Sequence, residues 1–238
     1  MCQTAQIEQS VAPVRNAIQT TSVTPRELFL VAGATARVLR DSNRLADIHL
    51  VADITGRDRF TELLADARGN GEPEVMRTRP EIDDDEVDFE ALRKLPADTL
   101  GGAYVRHLDR YQLEVYTDPT SDRFIHDPDV RYLIHRYRQT HDIWHVLVGL
   151  GTAGHEEVLL HAFIYGLLRL PNSALIIALG GLKHLVLERR WQALRHGLRD
   201  AYRSGRSARP LLMVRWEDHW TDTLEDVRRR YNITPVSS

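Results

Sequence analysis

A single cysteine, Cys2, stands in the 238 residues. One thiol cannot close an internal disulfide, and a thiolate metal site needs more than one. Long apolar runs are also missing. The best candidate, Leu170 to Leu182, is thirteen residues interrupted by Pro171, Asn172 and two glycines. A membrane-spanning helix needs roughly 20 apolar residues, so a chain that is soluble, or that sits on a membrane without crossing it, is expected. Positive charge is not in excess. The formal net charge is -3, and no basic field argues for nucleic acid. Met1-Cys2-Gln3-Thr4-Ala5-Gln6 has no basic cluster leading into an apolar core, so no secretory leader is expected. A glycine-rich phosphate loop and the Gly-x-Ser-x-Gly elbow of serine hydrolases are both absent.

What is present suits a globular protein. Hydrophobic residues are 42% and charged residues 27%, enough for a sizeable core. Residues 1–23 are polar and aperiodic and read as a mobile tail. Residues 24–238 read as one mainly α domain, a helical bundle. Thr24-Pro25-Arg26-Glu27 is a helix start with a capping box, running to about Arg40. Leu45–Asp53 reads as a short helix, and Asp58 opens another. Gly69-Asn70-Gly71-Glu72-Pro73 breaks the chain. The acidic run Glu81–Glu86 reads as a solvated loop rather than a cation site. A short helix follows at Phe89–Lys94. Asp98 is expected to cap the next, which carries Leu100, Tyr104, Val105 and Leu108. Asp127-Pro128 opens a long helix to about Leu150, ended by Gly149, Gly151 and Gly154. Glu156 is expected to open a helix apolar nearly all round, which must be buried. A third starts near Ser173, apolar to Leu187 and basic beyond. The last is expected from about Glu217 to Tyr231.

The chemistry concentrates in His141-Asp142-Ile143-Trp144-His145, with Glu157 twelve residues on. Residues four apart share a helix face, so His141 and His145 project together with Asp142 beside them. The glycines after the helix let the chain fold back and bring Glu157 to the pair. Imidazole and carboxylate donors suit a divalent ion, zinc or a redox-active metal such as iron. A carboxylate at the head of an apolar helix is costly to bury unless paired or bound to metal. His155 and Glu156 compete for the role given to Glu157. His161, one turn on, reads as a satisfied core histidine. Zincin proteases carry Glu where this chain has Asp142, and HD-type phosphohydrolases draw their other ligands from far along the chain.

These residues, with Leu95-Pro96-Ala97-Asp98-Thr99-Leu100-Gly101, Tyr104, Leu108-Asp109, Arg136-Tyr137-Arg138 and Arg215-Trp216-Glu217-Asp218-His219-Trp220, resemble the coenzyme Q biosynthesis protein four family over roughly residues 30–235. One departure is Gly180-Gly181-Leu182-Lys183, where the family often has Gly-Pro. The resemblance implies an all-helical protein handling polyprenylated quinone precursors. Its chemistry would be removal of the ring carboxyl group with hydroxylation at the same carbon. The implied metal ligands are His141, Asp142, His145 and Glu157, with Asp142 also serving catalysis. The implied partners are a prenylated quinone precursor or other isoprenoid lipid, other quinone-biosynthesis enzymes and a membrane surface. The apolar helices at 156–169 and 173–187 could wall a prenyl tunnel or form an ordinary core. Arg195, Arg199 and Arg203 share a face, with Arg189, Arg190, Arg206 and Arg209 nearby; this reads equally as a membrane-facing or a solvated surface. A cytoplasmic location, peripheral on the inner membrane face, is the expectation. A homodimer is compatible with the sequence, which sets no oligomeric state.

Overall fold

The computed structural model describes residues 23–41, 44–69, 71–187 and 191–236, apart from the side chains of 183–187, 191–193 and 195. The tail expected over residues 1–23 lies, except for Val23, outside the described residues, as do Arg189 and Arg190. The described chain is all-helical, and most of its buried apolar residues form one cluster running from Phe60 to Val236. This is the mainly α single domain expected.

Helix α1 (Pro25–Arg40) starts with the expected capping box. Thr24 Oγ1 accepts from the Glu27 backbone N–H at 3.2 Å, and Glu27 Oε2 accepts from the Thr24 N–H at 2.8 Å. Helix α2 (Leu45–Arg68) is continuous, which corrects the two short helices expected there. Burial overrides the weak local preference of Ile54-Thr55-Gly56-Arg57. Ile54 is in the core, Arg57 pairs with Glu27 of α1, and the Thr55 hydroxyl donates to the Val51 carbonyl. A single turn, α3 (Glu74–Thr78), lies between the chain break at residues 69–73 and the acidic run, where the sequence predicts no element. The acidic run after it folds on itself, with Asp83 Oδ1 accepting from the Asp85 and Glu86 N–H groups. Helix α4 (Phe89–Arg93) follows, capped by Asp88.

Helix α5 (Leu100–Tyr111) is capped by Thr99, not by Asp98 as expected. The C-terminal segment decides this. The Asp98 carbonyl accepts from Leu224, and the first N–H groups of α5, on Leu100 and Gly101, donate to the carbonyls of Asp222 and Trp220. The same contacts divide the last expected helix. A 3-10 turn (Trp216–His219) precedes α10 (Leu224–Tyr231), which Thr223 caps.

Helix α6 (Pro128–Val148) matches its sequence signals. Asp127 caps it, and Gly149 ends it at φ +82°. Arg228 closes its C-terminus, donating to the carbonyls of Val146 and Leu147. Helix α7 (Gly154–Leu168) begins two residues before the expected Glu156, because Glu156 closes the helix start from inside the first turn. Val158–Ile164 of α7 are all buried. Helix α8 (Pro171–Leu187) begins at its proline rather than near Ser173. The basic stretch lies on a separate helix, α9 (Trp191–Ser207). Both α8 and α9 pack on α7, which is therefore central.

Candidate metal centre

The donors come from the end of α6 and the start of α7, joined by the short turn Gly149–Ala153. That turn is pinned on both sides. Glu156 accepts from the Gly151 N–H at 2.9 Å and from the Ala153 N–H at 3.2 Å. These bonds occupy the Glu156 carboxylate and leave Glu157, the next residue, to face α6. His141, His145 and Glu157 each offer a donor atom within 4.8 Å of the others. Asp142 stands outside this group; its Oδ1 lies 3.5 Å from His141 Nδ1. The chain thus brings three of the four expected ligands together and holds the fourth beside them. His155, also weighed as a ligand, stays out of the cluster.

His145 is the test of fit. Its side chain is 0% exposed, and neither ring nitrogen has a hydrogen-bond partner among the described residues. Its Nε2 lies 3.1 Å from Glu157 Oε1, within hydrogen-bond range, but the ring N–H is misaligned. The contact is an ion pair with poor hydrogen-bond geometry. A buried polar nitrogen without a partner is costly, and a bound ion would relieve that cost. The donor set, two imidazoles and a carboxylate, is one that suits zinc or another first-row metal. The residues fit a divalent ion.

The electrostatics follow. Burial works to raise the Glu157 carboxyl, but His145 and His141 outweigh it and hold it at about 2. Burial likewise opposes Asp142, yet His141 keeps it below the ordinary carboxylate range. Burial would lower His141; Asp142 and Glu157 overcome this and leave it raised. His161 behaves as the satisfied histidine expected, with Nδ1 3.1 Å from Ser173 Oγ, and burial lowers it to about 3.

One residue at the site was not singled out from sequence. His107 of α5 stacks on His145, with ring centroids 5.4 Å apart and planes 28° apart. Burial lowers it to about 4. Its signal was available: Leu100, Tyr104, His107, Leu108 and Tyr111 recur at helical spacing on the inward face of α5.

The chain is a helical bundle, and donors brought together from two facing helices are the arrangement by which such bundles can hold a metal ion. The particular family is given by comparison. The model for coenzyme Q (ubiquinone) biosynthesis protein Coq4 matches residues 16–237, and the chain belongs to this family. A ubiquinone biosynthesis protein COQ4 homolog, mitochondrial, from Aedes aegypti is 30% identical over 225 residues, covering 92% of this chain and 79% of that protein. The mitochondrial coq4 protein of Schizosaccharomyces pombe is 31% identical over 215 residues, 87% of this chain and 77% of that one. A crystal structure of a Nostoc punctiforme protein superposes with a TM-score of 0.68 over 86% of this chain and 95% of that one, at 23% identity, and shares the fold. Among the described residues, no helix is long and apolar enough to cross a membrane.

Proposed function

We propose that this protein is a metal-dependent enzyme of ubiquinone-type biosynthesis that acts on the aromatic ring of a prenylated precursor. Family membership supports the pathway, and the printed names of the relatives point the same way. The observation that carries the metal reading is the convergence of His141 and Glu157 on the buried imidazole of His145, which has no hydrogen-bond partner among the described residues. The reaction class is loss of the ring carboxyl group as carbon dioxide with hydroxylation at the same carbon. This is a net two-electron oxidation; with dioxygen as the proposed oxidant it balances as ring carboxylic acid, dioxygen and water giving the ring hydroxyl, carbon dioxide and hydrogen peroxide. A divalent ion, when bound, supplies Lewis acidity toward a ring carboxylate or phenolate oxygen.

The chain's own residues would do the rest. His141, His145 and Glu157 would hold the ion. Asp142, adjacent but outside their group, would orient His141 and adjust the charge at the centre. Partly exposed His141, Asp142 and Glu157 leave an approach for the ring, while fully buried His145 closes the opposite side. Helices α7 and α8 would line the prenyl chain; Leu175, Ile176 and Ile177 of α8 are only half-buried and give apolar surface beyond that buried against α7. A membrane surface is the proposed neighbour. Exposed Leu28, Phe29 and Leu39 on α1 lie beside exposed Arg26 and Arg40, and Arg199 and Arg203 are exposed on α9.

The test is product formation in cells lacking their own gene of this family, with metal and lipid assayed on the purified protein. His145→Ala is expected to lose the ion and the product together. Asp142→Asn is expected to keep lipid and lose turnover. Normal product from a folded, metal-free variant would overturn the catalytic reading and leave a lipid-presenting scaffold.

A further inference from the structure

His107 is a buried polar group with no assigned task. It is 8% exposed, and its Nε2 is buried with no hydrogen-bond partner among the described residues. One side of the ring packs on His145; another meets the ring of Tyr111, 4.9 Å away between centroids. Its charge would be felt by Asp142, Glu157 and both predicted histidine ligands, so it lies beside the whole cluster. Yet its nitrogens fall outside the group of donor atoms formed by His141, His145 and Glu157.

An unpaired buried nitrogen costs about 1–3 kcal/mol. An apolar side chain would fill this place in the core without that cost, as Leu100 and Leu108 do on the same face of α5. An oxygen acceptor that reaches the ring would relieve this cost. The ion's remaining ligand is such a group, and it would lie next to His145.

We propose that His107 contacts the incoming ligand: its Nε2–H donates a hydrogen bond to a carboxylate or phenolate oxygen that completes the coordination of an ion held by His141, His145 and Glu157. This rests on the metal reading above. It adds a residue that reads the oxygen of the aromatic head group without itself holding the ion.

The experiment uses the full chain loaded with Co(II), and benzoate as the probe, followed through the visible absorption of the cobalt. Wild type, His107→Phe and His107→Leu are expected to bind one equivalent of Co(II) with the same affinity. Benzoate should bind the two donor-free variants about tenfold or more weakly, as for one lost charge-assisted hydrogen bond. His107→Gln, which keeps an N–H donor, should lie closer to wild type. Unchanged benzoate affinity in the Phe and Leu variants overturns the proposal, and so does a Gln variant as weak as Phe. Loss of Co(II) from folded His107→Phe would make His107 a metal ligand instead. Wild type that takes up no Co(II) overturns the metal reading itself, which separates the two failures.

Discussion

Helices α7 and α9 touch backbone to backbone, and one methyl group should separate them. A Cβ at Gly205 would stand 2.0 Å from the Phe163 carbonyl oxygen, and one at Gly166 would stand 2.4 Å from the Tyr202 carbonyl oxygen. Ordinary contact begins at 3.4 Å, so Gly205→Ala requires a displacement of 1.4 Å, the difference between 3.4 and 2.0 Å. The obstacle is main chain, so no rotamer change relieves it. Overpacking of this kind costs about 1–3 kcal/mol, occasionally more, and an immovable carbonyl puts this site at about 3 kcal/mol. For a chain of this length that is a fall in Tm of about 6–12 °C. The displaced helix carries Glu157, six residues or about 9 Å before Phe163. Metal affinity should therefore fall about tenfold or more, as when supporting groups of a metal site are lost. Gly181→Ala is the control. A Cβ there meets nothing within 4 Å among the described residues, and alanine in α8 should stabilise by up to about 1 kcal/mol. Calorimetry and metal titration of both variants decide. If Gly205→Ala costs no more than Gly181→Ala, the close crossing described here is wrong.

Three other outcomes are expected. The metal-free protein should lose stability as pH falls from about 6.5 toward 4. Burial keeps His49, His107 and His161 neutral at values of about 4, 4 and 3; their contribution is present above 6.5 and lost as pH falls through the folded values. His141, raised, works in the opposite direction, so urea titrations that show rising stability on acidification would reject the account. Arg136 is 0% exposed and bidentate to Glu217 at 2.7 Å on each arm. Arg136→Ala should cost about 3–5 kcal/mol by leaving the carboxylate unpaired, and an equilibrium denaturation loss near zero would contradict this. Reversing Arg195, Arg199 and Arg203 to glutamate should weaken binding to anionic vesicles by about 1 kcal/mol per basic residue lost; equal flotation of both proteins at low salt would leave that face merely solvated.

The parts of the fold legible in the sequence were those with local stop and start chemistry. Asp127-Pro128 and Gly149 bound α6 because capping and positive φ act within a few residues. The misread boundaries depend on distant partners. Asp98 fails as a cap because its carbonyl serves Leu224, far along the chain. The gap expected inside α2 closes because Arg57 reaches Glu27 and Ile54 enters the core. At the site, the helical spacing of His141 and His145 was visible, but the choice between Glu156 and Glu157 was not. It turns on α7 starting at Gly154, which makes Glu156 the residue that closes the helix start. His107 needed knowledge of which helix packs on His145, and that is a tertiary fact.

The arrangement of the turn bears on how the centre would work. Glu156 and Arg228 tie down the α6–α7 junction with main-chain hydrogen bonds that involve none of the three clustered donors. The positions of His145 and Glu157 are therefore set by the fold before any ion arrives. His145 and Glu157 stand 3.1 Å apart as an ion pair at the head of the turn. A site organised in advance need not spend binding energy on ordering its ligands. A structural site would gain from full protein coordination. Under the proposed function, Asp142, which lies against His141 and outside the cluster, would leave a coordination position to substrate.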